Sequence, residues 1–368
     1  MKIKDIGFDE YFEKLTLESL NINSLEDINT EKLVPARVIR INKRYYTLFS
    51  DDGEFLARIK GKIRYNSEVK SELPAVGDWV LMKKSDNNAF IDTVLTRKNI
   101  LYRKANIKKN DIQAIVSNID YAFIIVGIDN EMPMSAIARY LSIVHTSHIK
   151  PIIAVSKIDL YKDEEYKEFL SLIKETYPNE TAFAYSSRTG KNTDTFLKYI
   201  KKNTSSVFIG ASGAGKSTII NYLLKDEKMK TKEVREYDFK GMHTTTHREL
   251  LVLDSGGVVI DTPGLRNLGL WEDDKGIKKT FEDLEEFAKK CKFKDCTHQH
   301  EPDCRILELL ENDEISYERY DAYITLFNEN RELQKSSIEI KKDRKIALKK
   351  ITKYGNIYNK SNAKNKKF

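Results

Sequence analysis

Val207-Phe208-Ile209-Gly210-Ala211-Ser212-Gly213-Ala214-Gly215-Lys216-Ser217-Thr218 decides the fold. An apolar run leads into Gly210 to Ser217, which fits G-x-x-x-x-G-K-[ST], and TIINYLLKDEK follows with helical spacing. Strand, glycine-rich loop and helix in that order are the context in which this pattern holds phosphate. The glycines let backbone N–H groups curl around phosphate oxygens, and the N-terminus of the following helix favours their negative charge. Gly210, Ala211, Ser212, Gly213, Ala214, Gly215, Lys216, Ser217 and Thr218 are therefore candidate nucleotide contacts. Lys216 is placed to reach the β- and γ-phosphates and Ser217 to ligate Mg²⁺.

Outward from this loop, YAFIIVGID, KPIIAVSKIDL, TAFAYSS, ELLVLD and GGVVIDTPG are apolar strand runs, several separated by helical stretches. Alternation of this kind predicts an α/β domain with a mostly parallel sheet over 112–270. Asp261-Thr262-Pro263-Gly264 ends the last run, where Asp261 suits Mg²⁺, often through water, and the Gly264 N–H suits a γ-phosphate. Between the two motifs lies Lys240-Gly-Met-His-Thr-Thr-Thr-His247, read either as a first switch loop, with Thr246 the candidate Mg²⁺ ligand, or as an edge strand. Leu265 stands where many GTPases orient water with Gln. His243, with His247 second, is the candidate to assist hydrolysis.

Ser156-Lys157-Ile158-Asp159 follows a strand run and resembles the N-K-x-D guanine-reading motif. A carboxylate accepts both N1–H and the 2-amino hydrogens of guanine, which adenine lacks, while the stem of Lys157 covers the base. Ser156 in place of Asn removes the amide contacts. Ser186 and Ser187 open a small loop placed against guanine O6. These guanine elements precede the phosphate loop, whereas in ordinary GTPases the phosphate loop comes first. The order implies a circular permutation, in which the loop after Asp261 leads directly towards the C-terminal part.

The flanks differ in texture. Residues 1–32 read as a short helical lead-in. Over 33–105, five or so short strand runs predict a small β-barrel of OB-fold size, an SH3-like barrel or sandwich fitting nearly as well. Arg40, Lys43, Arg44, Tyr45 and Tyr46 form either an RNA-binding face or a solvated strand face. Residues 271–340 are helical and charged and hold the only cysteines. Cys291, Cys296, His298 and Cys304 fit a closed tetrahedral Zn²⁺ site of structural type, with His300 as an alternative to His298 and unliganded cysteines as the rival reading.

The net charge of +7 is located rather than spread. Residues 341–368 carry eleven Lys or Arg and one acid, so the tail holds +10 and the preceding 340 residues hold −3. A basic arm suits a polyanionic partner, membrane surface, RNA and DNA all being open, or else a solvated tail. No run approaches a spanning helix, the charged start lacks an apolar signal core, and three clustered cysteines form no disulfide framework. A cytoplasmic protein is expected.

Together GASGAGKST, HTTTHREL, DTPGLR and CKFKDCTHQHEPDC resemble the ribosome small subunit-dependent GTPase A family (RsgA, also called YjeQ), and the likeness covers nearly the whole chain. Ser156 departs from its usual Asn, and Met242 from an Arg that often precedes the His-Thr-Thr-Thr run. The resemblance implies an OB-like barrel, a permuted GTPase domain and a helical zinc-binding domain. It also implies GTP hydrolysis stimulated by the 30S subunit, contact with 16S rRNA, a late role in small-subunit maturation and release on hydrolysis. Partners would be the 30S subunit, 16S rRNA and GTP or GDP, with no membrane and a monomeric chain. An ATPase, or an RNA-binding assembly chaperone whose affinity GTP only tunes, is the alternative.

Overall fold

The computed structural model describes residues 1–22, 33–42, 45–61, 70–85, 88–104, 112–129, 132–224, 248–261 and 274–335. Helix α1 (Glu10–Leu20) is capped by Asp9, whose carboxylate accepts from the Phe12 N–H. Five strands follow: β1 (Val34–Asn42), β2 (Tyr45–Ser50), β3 (Gly53–Ile59), β4 (Trp79–Ser85) and β5 (Asn88–Val94). β1 pairs with β2 and β4, β2 with β3, and β4 with β5, all antiparallel, while β3 and β5 run parallel. The order 1-2-3-5-4-1 closes a barrel, which leaves no free sheet edge. The parallel β3–β5 pair identifies the OB-like closure over the alternatives that strand counting allows. Val34, Ala36, Val38, Leu48, Val80, Met82 and Ile91 fill its interior. Alternation carries Tyr46 inside as well, whereas Tyr45 stays partly exposed beneath the Arg58 guanidinium, 4.7 Å from its ring centroid. Arg40 pairs with Glu249. Of the basic-aromatic face expected from sequence, Lys43 and Arg44 lie outside the described residues, and of the other three only Tyr45 is partly exposed without a contact to the sheet domain.

β6 (Ile100–Lys104) and β7 (Ile112–Ser117) form an antiparallel hairpin outside the main sheet. The alternating part then begins. It comprises β8 (Tyr121–Gly127), α2 (Met134–Thr146), β9 (Lys150–Ser156), α3 (Asp163–Thr176) and β10 (Thr181–Ala184). β11 (Ser205–Gly210), α4 (Lys216–Leu223), β12 (Glu249–Val252) and β13 (Val258–Asp261) complete it. The strands lie in the order β10-β9-β8-β11-β13-β12, the first five parallel and β12 antiparallel. Central β8 and β11 are buried almost throughout, which is why their sequences read as unbroken apolar runs rather than alternations. On one face Phe123, Phe196 and Phe208 stack with centroids 4.9–5.7 Å apart.

The C-terminal part holds α5 (Lys275–Thr280), α6 (Glu282–Ala288), α7 (Arg305–Glu311) and α8 (317–335). α5 lies so close to α2 that a Cβ on Gly276 would meet the Ser142 carbonyl oxygen at 1.9 Å. From α8, the buried Arg319 donates to Asp283 and to the Thr176 carbonyl, and Glu329 pairs with Arg139 at 2.6 Å. These contacts dock the helical part on the sheet domain.

The barrel is fixed to the sheet by Arg37, which is 1% exposed. Its guanidinium donates to the carbonyls of Ile6, Gly77 (3.3 Å) and Asn118 (3.3 Å) and to Ser205 Oγ (2.9 Å), and lies 5.3 Å from the Trp79 ring centroid. Burial pulls it down to about 10, leaving it charged at neutral pH. Arg37→Met strands several buried acceptors at once. It is expected to cost about 3 kcal/mol in urea denaturation, with Arg37→Lys recovering only part because an ammonium lacks the planar fork.

Candidate nucleotide site and metal centre

β11 ends at Gly210, where φ is +139° and a Cβ would stand 2.3 Å from the Ile125 carbonyl oxygen on β8. Only glycine permits that approach, so the turn into the loop depends on it. Gly215 caps α4 in the left-handed region, and Lys216 opens the helix. Lys216 Nζ donates to the carbonyls of Gly210 (2.9 Å) and Ala211 (2.6 Å), folding back over the loop. Ser212, Gly213, Ser217 and Thr218 face solvent, while Ala214 is buried beneath them. Asp261 ends β13, whose Ile260 pairs with Val207 of the phosphate-loop strand. Ser217 and Asp261 bring a hydroxyl and a carboxylate to this edge, the oxygen donors that a hard cation takes.

Two further loops meet the phosphate loop. Ser156, at the end of β9, is buried; its hydroxyl lies 2.6 Å from the Ala214 carbonyl oxygen and 3.3 Å from that of Val126. Its hydroxyl thus tethers the end of β9 to the phosphate loop. Lys157 adopts φ +66° and donates to Asp129 at 2.6 Å, and Ile158 is buried below. Asp159 is exposed, and its carboxylate accepts from Ser186 Oγ at 2.6 Å. The buried Ser186 oxygen accepts in turn from the N–H groups of Arg188 (3.2 Å) and Thr189 (3.1 Å). Asp159 is thereby aimed before any ligand arrives. This orienting part of Ser186 was not legible in the motif; the Ser186-to-Gly190 turn after a strand is the signal that points to it. Ser187 is half-buried beside it. His243, Thr246 and Gly264 lie outside the described residues, as do His247 and the tail 341–368.

The four cysteine and histidine ligand atoms gather within 4.8 Å of one another. Cys291 Sγ lies 3.6 Å from His298 Nδ1 and 3.9 Å from Cys304 Sγ, and His298 Nδ1 lies 3.4 Å from Cys304 Sγ. Tetrahedral ligands about a metal at ~2.3 Å stand roughly 3.7 Å apart, so the set fits a single ion. His298 completes it and His300 stays exposed. His298 reaches the cluster from φ +58°, its carbonyl accepting from Tyr320 Oη at 2.8 Å. Burial pushes the Cys296 thiol up to about 12 and His298 down. An imidazole beside three thiols is a donor set that suits a metal. Bound there, a metal cross-links the loop before α7 to the end of α6.

A parallel sheet with a glycine-rich loop at its centre and, two strands away, a carboxylate held by Ser186 defines a P-loop GTPase. The loops at 156–159 and 186–190, candidates to read guanine, precede the phosphate loop, the order of a circularly permuted GTPase. Comparison with known proteins agrees. Residues 94–271 match the family described as RsgA GTPase, and residues 205–342 match 50S ribosome-binding GTPase. The chain is 39% identical over 330 residues to small ribosomal subunit biogenesis GTPase RsgA 1 of Oceanobacillus iheyensis, covering 88% of this chain and 91% of that one. It is 36% identical to the RsgA of Syntrophotalea carbinolica, covering 88% of each. The crystal structure of YjeQ from Thermotoga maritima superposes with a TM-score of 0.62 at 26% identity, over 81% of this chain and 98% of that chain. YloQ, titled a circularly permuted GTPase, shares the fold with a TM-score of 0.59 at 23% identity, over 83% of this chain and 97% of that one. The chain belongs to the RsgA family of GTPases.

The purified chain is expected to carry one metal ion per molecule by elemental mass spectrometry. Cys304→Ser, or chelation, should abolish that content and lower the melting temperature by roughly 10 °C.

Proposed function

We propose that the chain hydrolyses GTP when bound to the small ribosomal subunit and acts late in maturation of that particle, leaving it on hydrolysis. The observation that carries the reading is Asp159, pinned by Ser186 on the loop that Ser156 ties to the phosphate loop. A fixed carboxylate accepts the N1–H and 2-amino hydrogens of guanine, and adenine would leave it unpaired, which separates this site from an ATPase. Lys157 covers the base above Ile158, and Ser187 faces O6. The N–H groups from Gly210 to Thr218 cradle phosphate oxygens. Lys216, released from the Gly210 and Ala211 carbonyls, neutralises charge developing between the β- and γ-phosphates. Mg²⁺ supplies further neutralisation there, and Ser217, Asp261 and Thr246 are the residues that would hold it. Gly264 donates its N–H to the γ-phosphate. His243 orients the attacking water, since Leu265 offers no polar group.

The flanking parts supply the partner. The names of the relatives place them in small ribosomal subunit biogenesis, and this chain carries the surface such a task needs. On the barrel, Phe90 is 39% exposed in register with Arg58 on β3 and exposed Lys83 on β4. Cations around an exposed ring suit unpaired bases and phosphates of 16S rRNA. The +10 tail adds phosphate contacts. Zn²⁺, the ion that a Cys₃His set favours, holds the helical part in a structural role. Among the described residues no helix is long and apolar enough to cross a membrane. The working form is a cytoplasmic monomer.

GTP turnover measured with and without purified 30S subunits across a salt series tests the proposal. Stimulation at low salt that falls steeply as salt rises is expected. No stimulation at any salt would refute it. Lys216→Ala should remove hydrolysis with or without subunits. His243→Ala should lower stimulated turnover by about 100-fold while GTP binding is kept. Deleting 341–368 should weaken subunit binding and leave GTP affinity unchanged.

A further inference from the structure

Tyr222 lies on α4, the helix that begins with Lys216, Ser217 and Thr218, and no step of the hydrolytic reaction uses it. It stands four residues after Thr218, so the two share a helix face one turn apart. Its ring is half-buried against the apolar cluster that holds Phe196, Ile219 and Ile220. The tip reaches across to a different loop. A Cβ on Gly190 would stand 2.7 Å from Tyr222 Oη and 3.6 Å from Cζ, so the phenol oxygen rests directly against the Gly190 backbone. Gly190 also holds φ +80°. Glycine is therefore required there twice, by the left-handed turn and by the oxygen beside it. This same glycine closes the turn that aims Asp159. Its N–H donates to the Ser186 carbonyl at 3.0 Å, and the Ser186 N–H donates to the Lys191 carbonyl at 3.0 Å. The Gly190 carbonyl accepts from Thr193 Oγ1 at 2.9 Å. From within that turn Ser186 Oγ donates to the Asp159 carboxylate.

We propose that Tyr222 is a positioning residue for guanine recognition: its phenol buttresses the turn at 186–190 from the phosphate-loop helix and so fixes the direction of the Asp159 carboxylate. The contact is already made in the empty site and needs no movement on binding. Tyr222 touches no reacting atom; it acts through Gly190 and Ser186. It joins the helix under the phosphates to the loop at the base by a path separate from the Ser156–Ala214 tether. A turn stripped of this buttress is free to sink towards α4, and Ser186 Oγ moves with it. The loss falls on the bonds that need a fixed carboxylate, those to guanine N1–H and the 2-amino group, and not on the phosphate contacts.

The inference rests on the GTP reading, and its test separates the two. GDP and IDP differ only in the 2-amino group, so the ratio of their Kd values reports how well Asp159 is aimed. Tyr222→Phe keeps the ring in its cluster and withdraws only the oxygen. It is expected to raise the Kd for GDP about three-fold and that for IDP by less, so that the ratio shrinks, with kcat at saturating GTP unchanged. Gly190→Ala drives a methyl group into the phenol oxygen. It should weaken GDP binding more in the unaltered background than beside Tyr222→Phe, where the nearest ring atom leaves ordinary contact at 3.6 Å. Equal weakening of GDP and IDP by Tyr222→Phe would mean that the phenol supports the phosphate loop or the fold at large, and that result overturns the proposal. Kd values that do not move overturn it too, as do strictly additive effects of the two substitutions on GDP binding. An unaltered chain that binds GDP no better than ADP would sink the GTP reading itself, and this proposal with it. Preference for GDP with a GDP-to-IDP ratio indifferent to Tyr222 would sink this proposal alone.

Discussion

The parallel register of β8, β9, β10, β11 and β13 is the constraint on which the site depends. Because all five run the same way, their carboxyl ends share one edge, and each candidate nucleotide contact among the described residues sits at or just beyond such an end. That edge is where open α/β sheets take ligands. Nothing in this geometry refers to chain order. β11 lies between β8 and β13 whether it is made first or, as here, after β8, β9 and β10. The permutation therefore leaves the site intact, provided that β8 and β11 approach closely at their ends, which Gly210 allows against Ile125.

What the permutation does change is where the neighbouring parts attach. The barrel grips the sheet through Arg37, whose Ser205 partner begins β11, at the opposite end of that strand from Gly210. The helical part grips α2 through the close approach at Gly276 and the Glu329–Arg139 pair, and α3 through Arg319. Neither attachment uses the phosphate loop, so both are free to act as fixed frames. The exception is the connection from Asp261 to α5, a short length of chain that links a candidate Mg²⁺ ligand to a helix already docked on α2.

Much of this is legible in the amino-acid sequence alone. The phosphate loop, the guanine motif and the metal ligands are local patterns whose chemistry demands particular side chains at particular spacings. Their strand contexts show because doubly covered parallel strands read as apolar runs. The barrel is legible as strands and turns but not as a topology, since the parallel β3–β5 pairing joins segments that no local pattern relates. Tyr46 shows the same limit: alternation states that successive residues face opposite ways, but not which way is inward. Arg37 is invisible for a different reason. A buried guanidinium looks on paper like any exposed one, and its meaning lies wholly in which distant carbonyls and hydroxyls surround it.

The two ends of the site are prepared to different degrees, and that difference bears on how a switch works. At the end proposed for the base, Asp159 is held by Ser186, Ser186 by two backbone N–H groups, and Ser156 by Ala214, so these side chains are already set in the empty site. At the phosphate end, Lys216 is occupied with the carbonyls of its own loop and must exchange those bonds for phosphate oxygens. Under the proposed function, a base pocket set in advance would serve GTP and GDP alike, since both carry the same base. The phosphate end, where Lys216 must exchange its carbonyl partners, would be the one that meets the γ-phosphate and so registers hydrolysis.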